Sequence, residues 1–499
     1  MADTPILRFT PREDVRLDAS QEIRKLSVLM PIYNERWTLK EIVQRVLDAP
    51  VDLEIELIAV DDASTDGSWD LLQELAASDD RIVAVQHEQN RGKGAAIRTA
   101  IDHVSGEVAV IQDADLEYDP RDFNTLLEPI LAGNADAVFG SRFAGHSRRV
   151  LFFWHSLVNR ALTTMCNMLN NLNLTDMETC YKMVRTDVLK QLRLSSDTFT
   201  LEPELTSRLA QWGARMYEVP ISYNGRTYAE GKKIGAWDGV KAIGQMLRCK
   251  FWDTQFTNHS GFYILSSVSK ASGYNHWILD HVKQFMGNRL MEAGSGIGNL
   301  SSLVLKRERV VLTDYEDVYL SKLQQKFGRH ENVRIDKSDL TNPSDYEKWQ
   351  DEKLDTVFCS NVLEHLEPDQ TVLQSFHDTL DDGGHCIIVV PAGRWLYTVM
   401  DEQLGHFRRY TEDELAGKMK KAGFDVVYTR CFSKLGSVSW AVSGHVLKRR
   451  HLSPRQMVWF DRILPIAKLL EYVLPVPGMS LIMVGQKPKS VAQPQRIAA

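Results

Sequence analysis

From Leu26 the chain alternates apolar strand-like runs with amphipathic helical patterns, and the same alternation restarts at Arg289. "LSVLMPIYN", "EIELIAVDDAS", "RIVAVQHE" and "EVAVIQDAD" read as strands of the first series. Between them lie helical stretches such as "TLKEIVQRVLDA", "SWDLLQELAAS" and "GAAIRTAIDHV". "RLMEAGSG", "RVVLTDY", "NVRIDKSDL", "LDTVFCSNV" and "HCIIVVPA" read as strands of the second series. Short apolar strands that alternate with helices predict parallel, doubly wound sheets with helices on both faces. At 499 residues the chain is too long for one ordinary domain. The expected plan is α/β with two such domains, the first over 26–250 and the second over 286–488. An extension over 1–25, a helical linker and entry segment over 251–285 and a disordered tail over 489–499 complete it, with the boundary near 250–260.

Hydrophobic residues at 43% and charged residues at 25% suffice for two sizeable cores. A net charge of −7 gives no basic field to attract a nucleic acid. The six cysteines lie far apart without a C-x-x-C, which is neither a zinc site nor a disulfide framework and suits a reducing cytoplasm. The N-terminal stretch is charged throughout and lacks a signal-peptide core. The nearest approach to a bilayer span, "YVLPVPGMSLIMVG" at 472–485, is short and broken by Pro475 and Pro477. A cytoplasmic protein is expected, soluble or peripheral at the membrane face. "RRVLFFWHSLVNRALTTMCNMLNNLNL" at 148–174 mixes Phe, Trp and Leu with flanking arginines. A membrane-surface or lipid-cradling helix pair explains it, and so does a buried helix or dimer contact. The oligomeric state stays open.

In open α/β sheets ligands bind at the carboxyl ends of the strands. In the first series those ends carry Pro31, Tyr33, Asn34 and Glu35, then Asp61 and Asp62, then Asp113 and Asp115. Two aspartates one residue apart at a strand end can share a divalent cation with a diphosphate, and Mg²⁺ or Mn²⁺ prefers such oxygen ligands.

"PIYNE", "VDDASTDGS", "NRGKGAAIRTA", "QDADLEYDP" and "GSRF" resemble family 2 glycosyltransferases of the GT-A fold over about residues 26–245. Within that family the resemblance is nearest to dolichol-phosphate mannosyltransferases and bacterial polyprenyl-phosphate glycosyltransferases. "YNGRTYAEGKKIG" sharpens it, because Arg226 and Lys232 keep those enzymes' spacing and Lys233 adds a charge. The resemblance implies that Pro31, Tyr33, Glu35, Val60 and Asp62 hold the nucleoside of a nucleotide sugar. It implies that Asp113 and Asp115 bind the metal, with Glu117 in that set replacing a common glutamine, that Ala114 borders the donor, and that Arg142, Arg226 and Lys232 contact phosphates. A polyprenyl phosphate acceptor needs no strong base; a sugar hydroxyl needs one, and Asp176, Glu202 and Glu204 are the candidates. Processive relatives carry Q-x-x-R-W, whereas here Gln245 and Arg248 are followed by Cys249, so a single transfer is expected.

The second series opens on Gly294-Ser295-Gly296-Ile297-Gly298, preceded by Glu292. The spacing G-x-G-x-G departs from the dinucleotide fingerprint G-x-G-x-x-G and argues against NAD. Asp314 ends the next strand, where a carboxylate can accept both ribose hydroxyls. Asp339 follows the third strand, where it could meet an adenine amine. With "LDTVFCSNVLEHL" and Gly383-Gly384, this succession resembles class I S-adenosylmethionine-dependent methyltransferases over roughly 272–488.

The resemblance implies that Glu292, Gly294, Ser295 and Gly296 border the methionine and ribose of S-adenosyl-L-methionine. Asp314 would bind the ribose, Asp339 and Leu340 the adenine, and Asn361 the cofactor. His406 and His365 are the histidines to weigh as a base, His406 more towards catalysis and His365 towards the structure of the cofactor pocket, and Arg408, Arg409 and Tyr410 could grip an anion or form a solvated basic turn. A bifunctional enzyme is expected, acting on a nucleotide sugar, a polyprenyl phosphate or glycolipid acceptor and a related glycan or lipid to be methylated. The alternative keeps the glycosyltransferase and makes the second domain a binding or scaffold module.

Overall fold

Strand β1 (Lys25–Ile32) buries Leu26–Met30 completely, as a strand covered by helices on both faces must. The computed structural model describes residues 23–145, 149, 153–226, 236–253, 255, 265, 272–447 and 459–489. The chain divides into two compact units, Met1–Thr257 and Asn258–Ala499.

The first unit is built on β1, β2 (Glu54–Asp61), β3 (Ile82–Gln86), β4 (Val108–Ile111), β5 (Ala137–Ser141), β6 (Lys182–Arg185) and β7 (Met216–Pro220). They form one seven-stranded sheet in the order β3-β2-β1-β4-β6-β5-β7. The second unit has β8 (Arg289–Ala293), β9 (Arg309–Asp314), β10 (Val333–Lys337), β11 (Leu354–Ser360), β12 (Leu380–Pro391), β13 (Asp425–Phe432) and β14 (Ser480–Gln486). Its order is β10-β9-β8-β11-β12-β14-β13. In both sheets the chain moves outward through three strands, then returns to pair its fourth strand with its first. That reversal opens a crevice at the carboxyl ends of β1 and β4, and of β8 and β11.

Both sheets are mixed, not parallel throughout. Strand β6 runs antiparallel to β4 and β5, and β14 antiparallel to β12 and β13. β6 escapes the sequence pattern because "KMVR" is four residues long and half cationic, although Lys182 is buried. β14 overlaps the stretch 472–485 weighed above only as a broken apolar run. It inserts beneath the helix Glu412–Lys421, and Gly485 permits the approach: a Cβ there would stand 2.7 Å from the Met419 methyl.

At the amino ends of β1 and β2, buried Glu56 accepts hydrogen bonds from Ser27 Oγ, from the Ser105 backbone at 2.7 Å and hydroxyl at 2.5 Å, and from Gly106 N at 3.2 Å. Lys25 Nζ lies 3.2 Å away. Burial alone would raise its pKa, but these donors and the ammonium hold it down at about 2. A depressed carboxylate pKa stabilises the fold above the ordinary value of 4.5, and the contribution is lost as pH falls towards 2. At about 1.4 kcal/mol per pH unit it is worth about 3 kcal/mol near neutrality. Urea unfolding of the wild type and Glu56→Gln should therefore show a gap that narrows steadily between pH 5 and pH 3. Parallel pH profiles for the two proteins would refute the assignment.

Candidate functional site

In the first unit the register pairs Pro31 with Val60 and Ile32 with Asp61, so the ends of β1 and β2 lie side by side. Val60 is fully buried, Pro31 is half-buried and Tyr33 is exposed. Asp62 is committed to the scaffold. Its Oδ1 accepts from Arg91 N at 2.8 Å and meets His87 Nδ1 at 2.8 Å, while Oδ2 accepts from Gly92 N at 2.7 Å. It thereby fixes the loop that leads into the helix Lys93–Asp102.

Asp113, Asp115 and Glu117 follow β4 closely. The Ala114 carbonyl between the aspartates accepts from Thr38 Oγ1 at 2.9 Å, which ties β4 to the helix after β1. Asp113 Oδ1 lies 2.8 Å from Lys93 Nζ, which also reaches Glu202 Oε1 at 3.0 Å. The pKa of Asp115 is pushed up to about 7 by burial first, then by the like charges of Asp113 and Glu117, against the pull of Arg226. Asp115, buried and repelled by Asp113 and Glu117, puts hard oxygen donors of the kind Mg²⁺ or Mn²⁺ prefers at the end of β4, although among the described residues the three carboxylates do not close to a ligand cluster.

Arg226 lies among these carboxylates. Its guanidinium pairs with Asp115, with Glu117 Oε1 at 3.1 Å and with Glu35 Oε1 at 3.6 Å. Tyr223 donates to Glu117 Oε2 at 2.8 Å, so the segment after β7 is laced to the acidic cluster. Arg142 is equally engaged: it holds Asp176 bidentately at 2.6 and 2.8 Å and lies over the Tyr223 ring. Lys232 and Lys233 lie outside the described residues.

The three candidate bases separate on the same grounds. Asp176 is wholly buried, and although burial raises its pKa, Arg142 and Asn159 hold it below the ordinary value. Glu204 accepts from the Ser195 and Ser196 backbone and from Arg208. Glu202 alone borders the cluster, through Lys93.

Within the stretch read either as a membrane-surface helix pair or as a buried or dimer helix, Phe153–Asn170 is one helix, which packs beside the helix Ala236–Phe251. It exposes Phe153, Trp154, Leu157 and Val158, and its neighbour exposes Trp237 and Val240. Among the described residues no helix is long and apolar enough to cross a membrane.

In the second unit, Gly294, Gly296 and Gly298 all adopt positive φ, at 76°, 54° and 78°. A Cβ on Gly294 would stand 2.4 Å from a Val362 methyl, and one on Gly298 would stand 2.3 Å from the Phe327 ring. The loop therefore requires glycine for its turn and for its packing. Asp314 closes it: Oδ2 accepts from Gly296 N at 2.8 Å, and Oδ1 accepts from Tyr315 and Glu316 N.

Glu292 and Ser295 are buried beneath the loop. Ser301 donates to Glu292, and Ser295 Oγ donates to the Glu292 carbonyl at 3.1 Å. Burial pushes the Glu292 pKa up to about 8. Asp339 turns back on its own loop, accepting from Thr341 N and Oγ1, and the Leu340 side chain joins the core. Asn361 sits at the end of β11 with φ 53°. A glycine turn with a carboxylate at the second strand end fits a nucleoside with a short charged arm.

His406 Nδ1 meets Asp401 Oδ1 at 2.9 Å, and the His365 and His406 rings stand edge to face at 4.7 Å. Burial first, then His406, pushes the His365 pKa down to about 4. Arg409 is bound to Asp401 at 2.7 Å, while Arg408 and Tyr410 are bound to Asp369. These three side chains brace the turn, so they do not form an open anion grip.

Residues 27–193 match the family model described as "Glycosyl transferase family 2", and residues 271–429 match the model described as "Methyltransferase domain". The polyprenol monophosphomannose synthase of Mycolicibacterium smegmatis is 32% identical over 217 residues, 42% of this chain and 81% of that protein. The chain belongs to glycosyl transferase family 2. A dolichol-phosphate mannosyltransferase of Pyrococcus furiosus is 28% identical over 227 residues, 45% of this family 2 chain and 62% of that protein. Among solved structures, glucosyl-3-phosphoglycerate synthase from Mycobacterium tuberculosis, in complex with Mn²⁺, uridine diphosphate and phosphoglyceric acid, is 21% identical with a TM-score of 0.36. That match covers 45% of this chain and 78% of that one. The family 2 glycosyltransferase is thus joined in one chain to a methyltransferase.

Several residues beside these two candidate sites lie outside the set picked from the sequence. Lys93 sits inside "NRGKG", and its position at a helix start beside an acidic strand end was the available signal. Glu364 and Asp401 gave none, because each occupies an ordinary acidic position in a turn or first helical turn.

Proposed function

We propose that the family 2 half transfers a sugar from a nucleotide-sugar donor to a polyprenyl phosphate or related glycolipid acceptor, with Mg²⁺ or Mn²⁺ held by Asp113, Asp115 and Glu117. The observation that carries this is the acidic end of β4, where Asp115 is buried beside the like charges of Asp113 and Glu117. Relatives named for polyprenol and dolichol phosphate support the acceptor class. A bound cation supplies positive charge against the charge that develops on the departing diphosphate.

The protein's own groups do the rest. Glu35, at the end of β1, and Lys93 border the acidic cluster from two sides. Arg226 exchanges carboxylate for phosphate oxygens when it engages the donor, a swap between two acceptors that suit its planar fork. A phosphate acceptor is already an oxyanion near neutrality. No base is then required, in keeping with the engagement of Asp176 and Glu204 by protein donors. The exposed aromatics of the helix Phe153–Asn170 and its neighbour support peripheral contact with the membrane that carries such an acceptor.

The second half uses S-adenosylmethionine to methylate a related glycan or lipid intermediate. Gly294 and Gly296 admit the cofactor close to the backbone, Asp314 accepts from its ribose, and Asn361 borders it from β11. The cofactor supplies the electrophilic methyl group, and the protein aligns the acceptor for in-line attack.

Incubation with nucleotide sugars, Mn²⁺ or Mg²⁺ and short-chain polyprenyl phosphate should give chelator-sensitive sugar-lipid and nucleoside diphosphate. No release with any donor would count against the first half. Calorimetry should show one S-adenosylmethionine bound per chain with no NADH uptake, and the absence of a binding heat would count against the second.

A further inference from the structure

Glu364 is wholly buried in the short turn Leu363–His365 that follows β11, and among the described residues neither carboxylate oxygen has a hydrogen-bond partner. An unpaired buried carboxylate is costly, and such groups in native folds call for a counterpart. His365 and His406 flank it. One ligand atom from each of the three residues falls within 4.8 Å of the others. Glu364 Oε1 and His406 Nε2 are 3.9 Å apart.

Each histidine already uses Nδ1 elsewhere. His406 Nδ1 meets the buried Asp401 carboxylate at 2.9 Å, and His365 Nδ1 faces the Gly405 carbonyl at 3.3 Å. Both Nε2 atoms are thereby left for a third party. A carboxylate or carbonyl on the far nitrogen is the usual orienting contact for a metal-bound histidine. Asp401 is itself fixed, by Arg409 at 2.7 Å and by the Thr398 backbone at 2.9 Å. The Phe407 N–H bonds the Glu364 carbonyl at 2.9 Å and binds the two loops together.

We infer that Glu364, His365 and His406 form a binding site for a divalent first-row transition cation at the carboxyl end of β11. Two imidazoles and one carboxylate suit Fe²⁺ or Zn²⁺ better than the all-oxygen carboxylates of the first unit do, and they admit Mn²⁺ as a paramagnetic probe. Small side-chain rotations bring the three atoms to the roughly 3–3.5 Å spacing that ligands at about 2.1 Å from one ion adopt. Three protein ligands leave further positions open, as in catalytic sites. Val362, two residues before Glu364, packs against Gly294 of the glycine loop, so the cation lies close to the cofactor cleft. An oxygen of the methyl acceptor is the natural occupant of the open position. That role rests on the methyl-transfer reading; the cation site does not.

The test uses the full-length chain stripped with chelator and loaded with Mn²⁺, in an Asp115→Asn background that disables the first unit's carboxylate cluster. Electron spin-echo spectroscopy should show nitrogen couplings from two imidazoles, which carboxylates cannot give. His365→Asn and His406→Asn should each remove one coupling and weaken Mn²⁺ binding at least about 10-fold. Glu364→Gln should weaken it similarly while leaving the stripped protein's melting temperature unchanged or higher. No Mn²⁺ uptake, or two imidazole couplings retained in either histidine variant, would overturn the inference. So would a Glu364→Gln protein that melts lower yet binds Mn²⁺ as before, because that marks a structural role alone. S-adenosylmethionine affinity measured on the same stripped samples reports separately on the methyl-donor reading.

Discussion

Replacing Asp115 by asparagine should lower glycosyl transfer by about 10²–10³-fold, the loss typical of one preorganised electrostatic contact to developing charge. Asp115 is the most buried of the three carboxylates after β4 and the one through which Asp113, Glu117 and Arg226 influence one another. An asparagine keeps its shape but removes its charge, so the metal concentration for half-maximal rate should rise together with the fall in kcat. The fold should tolerate the change. Burial and like charges already raise the Asp115 pKa to about 7, so the substitution removes a repulsion even as it weakens the hold on Arg226. A melting temperature close to wild type with a collapsed rate would separate chemistry from folding. Sugar-lipid formation within 3-fold of wild type at every metal concentration would rule Asp115 out as a metal ligand. Asp62→Asn is the useful contrast. Asp62 holds the Arg91–Gly92 loop and His87, so its loss should lower stability along with activity.

That contrast marks where the sequence is legible. The ends of β1, β2 and β4 can be read because buried parallel strands are near-continuous apolar runs, and acidic residues at their ends stand out. The short strands β6 and β7 lack such runs, and β6 carries Lys182 into the interior. Long-range pairing is illegible for a different reason. Arg142 reads as a phosphate ligand from its motif, yet its guanidinium meets Asp176, 34 residues away. Arg408, Arg409 and Tyr410 look like an anion grip until Asp369 and Asp401 fold beneath them. Glu364 shows the converse. Within "NVLEHL" it looks like an exposed helical acid, and only the fold reveals that it is buried and faces two histidines. Side-chain chemistry sets what each residue can do, and the partner brought in from elsewhere in the chain decides what it does.

The sharpest test of the second half lies at Asp314, where a single carboxylate serves the loop and, in the proposed reading, the ligand. Its Oδ2 anchors Gly296, which holds φ 54°, and Oδ1 caps the Tyr315 and Glu316 amides. Burial raises its pKa against the pull of those three donors. The folded chain thus accepts a desolvated carboxylate at the mouth of the cleft, where a ribose diol offers two further donors. Hydrogen bonds to a charged acceptor are worth about 1.5–3 kcal/mol each, and removing the acceptor leaves the partners unpaired. Asp314→Ala should therefore weaken S-adenosylmethionine binding by about 10²-fold, some 3 kcal/mol by calorimetry. Asp314→Asn keeps one acceptor and the shape but loses the charge, so a loss of about 10-fold is expected. Its amide must also turn its oxygen towards either Gly296 or the ribose, since a single carbonyl oxygen cannot serve both as the two carboxylate oxygens do. An alanine variant that binds within 3-fold of wild type would show that Asp314 only shapes the loop. Glycosyl transfer should be unchanged in both variants, because the acidic cluster after β4 belongs to a different sheet and a different compact unit.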